Sequence, residues 1–235
     1  MSAAPDSGPS CDHCPMRSHL EKMSGGHDVD RLIALRQHTR AFLKKGMLFR
    51  QGDSWDGLYI LHSGWAFNYR LTGEGRRQIF HIFLPGDVVN LSALRLERAP
   101  DTVQALTDVV VCVFPRVEMD SYMHDDIRRT HFLERQWLDA VWSAKESIAD
   151  LGRRTSAQRI ARFILGIERR LRERDFVSDG KFAFPLRYQH IADTLGLTPV
   201  HVNRIFTDLR TQGIIDLQGR TLSILRPEAL ASLVS

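Results

Sequence analysis

Three kinds of hydrophobic spacing succeed one another along this chain. From Lys44 to Phe114, short apolar stretches are punctuated by glycine in "GMLFRQGDSWDGLYILHSGWAFNYRLTGEGRRQIFHIFLPGDVVN". Tyr59-Ile60-Leu61, Trp65-Ala66-Phe67 and Ile79 to Phe83 have strand character, and Gly52, Gly64, Gly73, Gly75 and Gly86 fall where turns are needed. Strands this close together, with no helix between them, predict a small antiparallel barrel or roll. "VQALTDVVVCVFP" predicts one further strand that closes it.

The spacing then becomes helical. From about Ile127 to Leu151, Trp137, Val141, Ala144, Ile148 and Leu151 recur at alternating steps of four and three, the seam of a helix that meets a twin. Leu133, Leu138 and Trp142 form a second stripe beside it, suited to packing back on the roll. Next, "TSAQRIARFILGIERRLRE" opens on Thr155 or Ser156 as a cap and sets Ile160, Phe163, Ile164, Ile167 and Leu171 on one face.

The most specific pattern follows a loop. "IADTLGLTPVHVNRIF" reads as two short helices joined by a tight turn, a helix-turn-helix. Ala192 must be small where the second helix crosses, Gly196 relaxes the turn, and Ile191, Leu195, Leu197, Val202 and Ile205 fill the space between the helices. Thr198 caps the second helix and Pro199 takes its first position, where a missing N–H costs nothing. The helix from Pro199 to Gln212 then exposes Val200, His201, Asn203, Arg204 and Thr207 as candidates for contact with DNA. Ile214 to Leu217 and Thr221 to Ile224 flank Gln218-Gly219-Arg220 as a wing, with Arg220 available to a phosphate.

Charge sharpens this reading. The net charge of +4 says little until it is divided: from Leu151 onward there are 14 lysines and arginines against 8 acids, and before it 18 against 20. A basic C-terminal third beside a neutral remainder points to a polyanion partner. No apolar run approaches the roughly 20 residues of a membrane span, and "MSAAPDSGPS" lacks the basic and apolar regions of a signal peptide. The expectation is a cytoplasmic protein with reduced thiols and no membrane partner. No nucleophile, base and orienting acid stand in a catalytic pattern, and the βαβ context of a thiol oxidoreductase is missing around Cys11 and Cys14, so the expectation is no enzyme.

These residues resemble the Crp/Fnr transcription regulators, in the branch of the FNR and FixK proteins, from about Leu32 to Leu233. The likeness is carried by "FRQGDSWDGLYILHSG", by "LPGDVVN", by the long helix and by the helix-turn-helix with its wing. It implies an α+β fold with a cyclic-nucleotide-binding-type β-roll, a dimerisation helix and a C-terminal winged helix-turn-helix. On this chain that gives a tail over 1–30, a roll over 31–126, the helix over 127–151 and the DNA-binding domain over 152–235. The implied function is a transcriptional regulator, activator or repressor, that binds palindromic promoter duplex as a homodimer and works with RNA polymerase.

Members that bind cyclic AMP neutralise its phosphate with an arginine ahead of the next strand. Here "ERAPDTVQAL" puts Ala99, Pro100 and Asp101 near that position, with Arg98 displaced, so cyclic AMP is not the expected ligand. In the anaerobic-response branch, tail cysteines and a distant roll cysteine hold a [4Fe-4S] cluster. "CDHCPMR" looks like that tail, and Cys112 matches the distant ligand. Such a cluster takes four thiolates, and Cys11, Cys14 and Cys112 are three. The fourth ligand is open among His19, His27, Asp28 and a small molecule. A zinc site with a histidine, a lost cluster, or control by abundance or another ligand, haem and nitric oxide among them, are the alternatives. On the reading helix, the family's guanine-binding arginine is matched by Arg204. The family glutamate that accepts from cytosine is replaced by Val200, which suits a thymine methyl.

Overall fold

The computed structural model describes Arg17, residues 29–55 and residues 57–234. Cys11, Cys14, His19, His27 and Asp28 lie outside the described residues. The fold is α+β. It divides into two compact units, one made of the described residues up to Arg70 together with Phe80–Leu138, the other of Leu71–Ile79 with Asp139 onward.

A helix, α1 (Val29–Ala34), precedes the strands β1 (His38–Phe42), β2 (Met47–Phe49), β3 (Leu58–Ser63), β4 (Ala66–Leu71) and β5 (Arg77–Phe83), of which Leu71 and Arg77–Ile79 fall in the second unit. A turn of 3-10 helix at Leu91–Leu94 leads to β6 (Thr102–Ala105) and β7 (Val109–Phe114). The strands make two antiparallel layers, in the orders β1-β7-β3 and β2-β6-β4-β5. The expected single strand "VQALTDVVVCVFP" is therefore two. Leu106 and Thr107 both donate to the Trp65 carbonyl, which ends β6, and β7 then enters the other sheet.

Period-two alternation decides what each strand faces. Along β7, Val109, Val111 and Val113 join Tyr59, Leu61, Val103 and Ala105 inside the roll. Cys112 and Phe114 point the other way, into a second core with Leu32 of α1, Ile60, Leu94 and three residues of α2 (Arg116–His124), namely Met119, Tyr122 and Met123. The tight turn from β3 to β4 rests on Gly64 at φ +82°, where a Cβ would stand 2.1 Å from the Asp108 carbonyl oxygen.

The long helix is α3 (Ile127–Arg153), 27 residues, or about 40 Å at 1.5 Å per residue. Asp126 starts it by accepting from the Arg128 amide at 2.8 Å and from the Arg128 guanidinium at 2.7 Å. The Arg128 side-chain bond, aided by the backbone bond, lowers the Asp126 carboxyl to about 2. Of the second stripe, expected to pack on the roll, the Leu133 side chain lies outside those described and the other two residues stand in water. Leu138 and Trp142 are exposed, Trp142 with the Lys145 ammonium 5.1 Å from its ring centre, and so are the seam residues Trp137, Val141, Ala144, Ile148 and Leu151. No helix among the described residues is long and apolar enough to cross a membrane.

After α3, the second unit runs α4 (Ser156–Arg172), β8 (Lys181–Ala183), α5 (Tyr188–Leu195), α6 (Pro199–Thr211), β9 (Ile215–Gln218), β10 (Thr221–Ile224) and α7 (Pro227–Ser232). Thr155 and Gln158 cap α4 reciprocally, each side chain accepting from the other's amide. Ile160, Ile164, Ile167 and Leu171 are buried along its inner face. The loop expected before α5 contains β8, which pairs with β10 to make a three-stranded sheet, β8-β10-β9.

Gly64→Ala forces a β-carbon against backbone at a left-handed position. Adding ~1–2 kcal/mol for the backbone conformation and ~1–3 for the clash, we expect a loss of about 3 kcal/mol. Urea unfolding checks this as a lower midpoint with an unchanged m-value.

Candidate nucleic-acid interface

The helix-turn-helix is α5, a three-residue turn and α6. Gly196 adopts φ +63° at the end of α5, and the amides of Gly196 and Leu197 both turn back to the Ala192 carbonyl. A left-handed residue there turns the chain within one step, which glycine does without Cβ strain. The Thr198 hydroxyl then accepts from the His201 amide at 3.2 Å, with Pro199 at the first helical position.

One face of α6 is buried. Val202, Ile205, Phe206 and Leu209 are sequestered, and the Phe206 ring packs tilted against Tyr188 at 5.2 Å and lies 6.3 Å from Phe184. Ile191 and Ala192 close the space from α5, while Leu195 and Leu197 are only half-buried. The opposite face carries Val200, His201, Asn203, Arg204 and Thr207, all in water, with Val200 79% exposed. Arg204 and His201 are not independent: an Arg204 guanidinium nitrogen donates to His201 Nε2 at 2.9 Å. A guanidinium cannot accept, so this nitrogen is the unprotonated one of the imidazole.

The wing follows directly. β9 and β10 pair from Gln218 with Thr221 to Ile215 with Ile224, so the turn is the two residues Gly219-Arg220, with Gly219 at φ +60°. Gln218, expected in the loop, is the last residue of the strand. Arg220 is exposed, and its carbonyl accepts from the Phe184 amide at 2.7 Å, which ties the wing tip to the chain entering α5.

Sequence reasoning missed an ionic network that anchors the last turns of α3 to this domain. Asp150 accepts from Arg154 at 2.8 Å and from Arg162 at 3.1 Å, and Arg162 also pairs with Glu146. Arg159 donates to the Leu195 carbonyl at the end of α5. Leu151, assigned to the seam, also reaches the helix-turn-helix: its Cδ2 lies 3.5 Å from where a Gly196 Cβ would stand. The i, i+4 pair of Asp150 and Arg154 was legible, whereas the partners of Arg159 and Arg162 are separated too far in sequence for spacing to show.

Of the three cysteines only Cys112 is described, and it is 5% exposed within the second core of the roll. Leu32, on the helix that follows the tail, shares that core. Among the described residues no three His, Cys, Asp or Glu side chains are grouped to hold a metal. Near the position where cyclic-AMP binders place an arginine, Asp101 accepts from Arg70 at 2.7 Å and from the Asn68 amide at 3.2 Å.

A β-roll followed by a long helix and a winged helix-turn-helix defines a DNA-binding regulator of transcription, and comparison with known proteins agrees. Residues 39–126 match the cyclic nucleotide-binding domain family, and residues 158–233 match the Crp-like helix-turn-helix domain. The transcriptional activator protein Anr of Pseudomonas protegens is 30% identical over 206 residues, covering 88% of this chain and 84% of that protein. The fumarate and nitrate reduction regulatory protein of Escherichia coli K12 is 27% identical over 207 residues, covering 88% of this chain and 82% of its own length. The structure of FixK2 from Bradyrhizobium japonicum superposes with a TM-score of 0.76 at 27% identity, over 84% of this chain and 96% of that one. This chain belongs to the Crp/Fnr family of transcriptional regulators, and it is a regulator rather than an enzyme.

Proposed function

We propose that the chain works as a homodimer that sets two copies of α6 into successive major grooves of a palindromic promoter duplex, about 34 Å apart. The observation that carries this is the division of α6 into a buried face and an exposed one bearing Arg204, Asn203, His201, Val200 and Thr207. Arg204 donates two hydrogen bonds to a guanine, and Val200 meets a thymine methyl. Thr198 and Arg220 meet phosphates on either side, and Pro199 fixes the direction in which the helix enters the groove. As promoter-bound activators do, the dimer would meet RNA polymerase in the cytoplasm.

The twin is supported by the seam of α3. Trp137, Val141, Ala144, Ile148 and Leu151 are all exposed in the single chain, Ile148 by 71%, and burying such a stripe against its own copy removes apolar surface from water. A signal that repacks this seam would reorient α6, because Asp150, Arg154 and Arg162 hold the end of α3 to the DNA-binding domain.

For the signal, the donor set favours an iron–sulfur cluster over a cyclic nucleotide. Asp101 already engages the Arg70 guanidinium, so that cation is spent where cyclic AMP needs one. Cys112 is aimed into the core shared with the helix that follows the tail, so Cys11 and Cys14 are the thiolates that would join it, with His19, His27, Asp28 or a small molecule as fourth ligand. When bound, the cluster supplies a redox- and oxygen-labile centre whose potential depends on its ligands.

Arg204→Ala is expected to cost about 1–3 kcal/mol of discrimination at one guanine in duplex binding at matched salt. Equal affinity of parent and variant for every duplex would sink the DNA reading. Trp137→Glu or Ile148→Glu is expected to shift the protein toward monomer in sedimentation and to weaken operator binding, and a full-strength dimer would remove the seam from α3. Anaerobic purification is expected to yield a coloured protein with iron and sulfide in equal numbers, lost in Cys112→Ala. Zinc alone would make the site a thiol–zinc switch, and a colourless, metal-free protein with the same operator affinity in air would remove the sensor.

A further inference from the structure

Resting on the reading of α6 as the groove helix, we infer that Asn203 reads an adenine, and that Asn203 and Val200 together recognise one A·T base pair beside the guanine taken by Arg204. At 100° per residue, Asn203 stands about 60° to one side of the line through Val200, and Arg204 about 40° to the other, with His201 beyond it. The bond from Arg204 to His201 at 2.9 Å draws the guanidinium toward that second side and away from Asn203. The exposed face is thus split into a cationic half, Arg204 with His201, and a neutral half made of Val200, Asn203 and Thr207.

The neutral half has a definite chemistry. Asn203 is exposed, and among the described residues its amide has no hydrogen-bond partner, so both its oxygen and its NH2 are available to a ligand. Beside it stands the 79% exposed isopropyl group of Val200, which no packing in this chain explains. A phosphate would suit neither group, since a cation or several N–H donors would serve it better. An A·T pair suits both: adenine offers N7 as acceptor and N6–H as donor to one amide, and its thymine offers a methyl in the same groove. A G·C pair offers no methyl and, on guanine, only acceptors at these positions. His201 is a positioning residue in this scheme, keeping the long Arg204 side chain off the neutral half.

The test is selection from a duplex pool randomised over two inverted half-sites, using the full-length protein in air and under exclusion of oxygen. The parent should enrich a guanine and, close to it, an adenine. Asn203→Ala should flatten the adenine column alone, with the guanine column and the far-ultraviolet circular dichroism unchanged. On the selected duplex, replacing that adenine by 7-deaza-adenine should weaken the parent roughly 5- to 150-fold and leave Asn203→Ala nearly unaffected. A guanine column with no adenine beside it, or an adenine column that survives Asn203→Ala, overturns this inference and leaves the groove helix standing. If no sequence is enriched in either condition, both fall together.

Discussion

A reading helix has to be gripped by one face so that the other can be left in water at a fixed angle. In this chain the grip is the burial of Val202, Ile205, Phe206 and Leu209, closed from α5 by Ile191 and Ala192 and from the side by the Tyr188 and Phe184 rings. A side chain that must discriminate bases is useful only if its backbone is held to a fraction of an ångström. The turn at Gly196 and the Thr198 cap set where α6 begins, and the apolar face sets how it is rotated. Every functional residue proposed for α6 depends on that rotation: one step of 100° would bring Val202 to the groove and bury Asn203.

The same logic of two faces organises the roll. β3 and β7 lie between two apolar cores, so consecutive residues report to different neighbours. Cys112 belongs to the core that includes α1 because Val111 and Val113 fill the inside of the roll. A thiol placed on the other face would be sealed among valines, away from the helix that continues from the tail. The alternation of a strand thus decides that Cys112 shares a core with α1, and the last turns of α3 are anchored by Asp150 and its arginines.

Much of this was legible without coordinates, for local reasons. Amphipathic spacing gave α3 and α4, the sequence "LGLTP" gave the turn and the cap, and the glycines at 64, 196 and 219 marked left-handed positions that only the backbone demands. Composition placed the positive charge in the DNA-binding third. Where reading failed, a competing neighbour was responsible. "VQALTDVVVCVFP" has no proline or glycine before its final Pro115, yet the Trp65 carbonyl captures Leu106 and Thr107 and divides it in two. β8 is three residues long and exists only because β10 offers it an edge.

What the sequence determined by itself is therefore each element whose cause lies within a few residues: period, cap, turn and the identity of the outward side chains on α6. Only the tertiary structure decided the pairings that join distant positions, such as Arg162 with Glu146 and Asp150, Phe184 with Arg220, and Cys112 with Leu32. It also decided that Leu138 and Trp142 stay in water. The physical reason is that helix and turn signals are carried by near neighbours, whereas ionic and apolar partners are chosen by whichever surfaces the folded chain brings into reach.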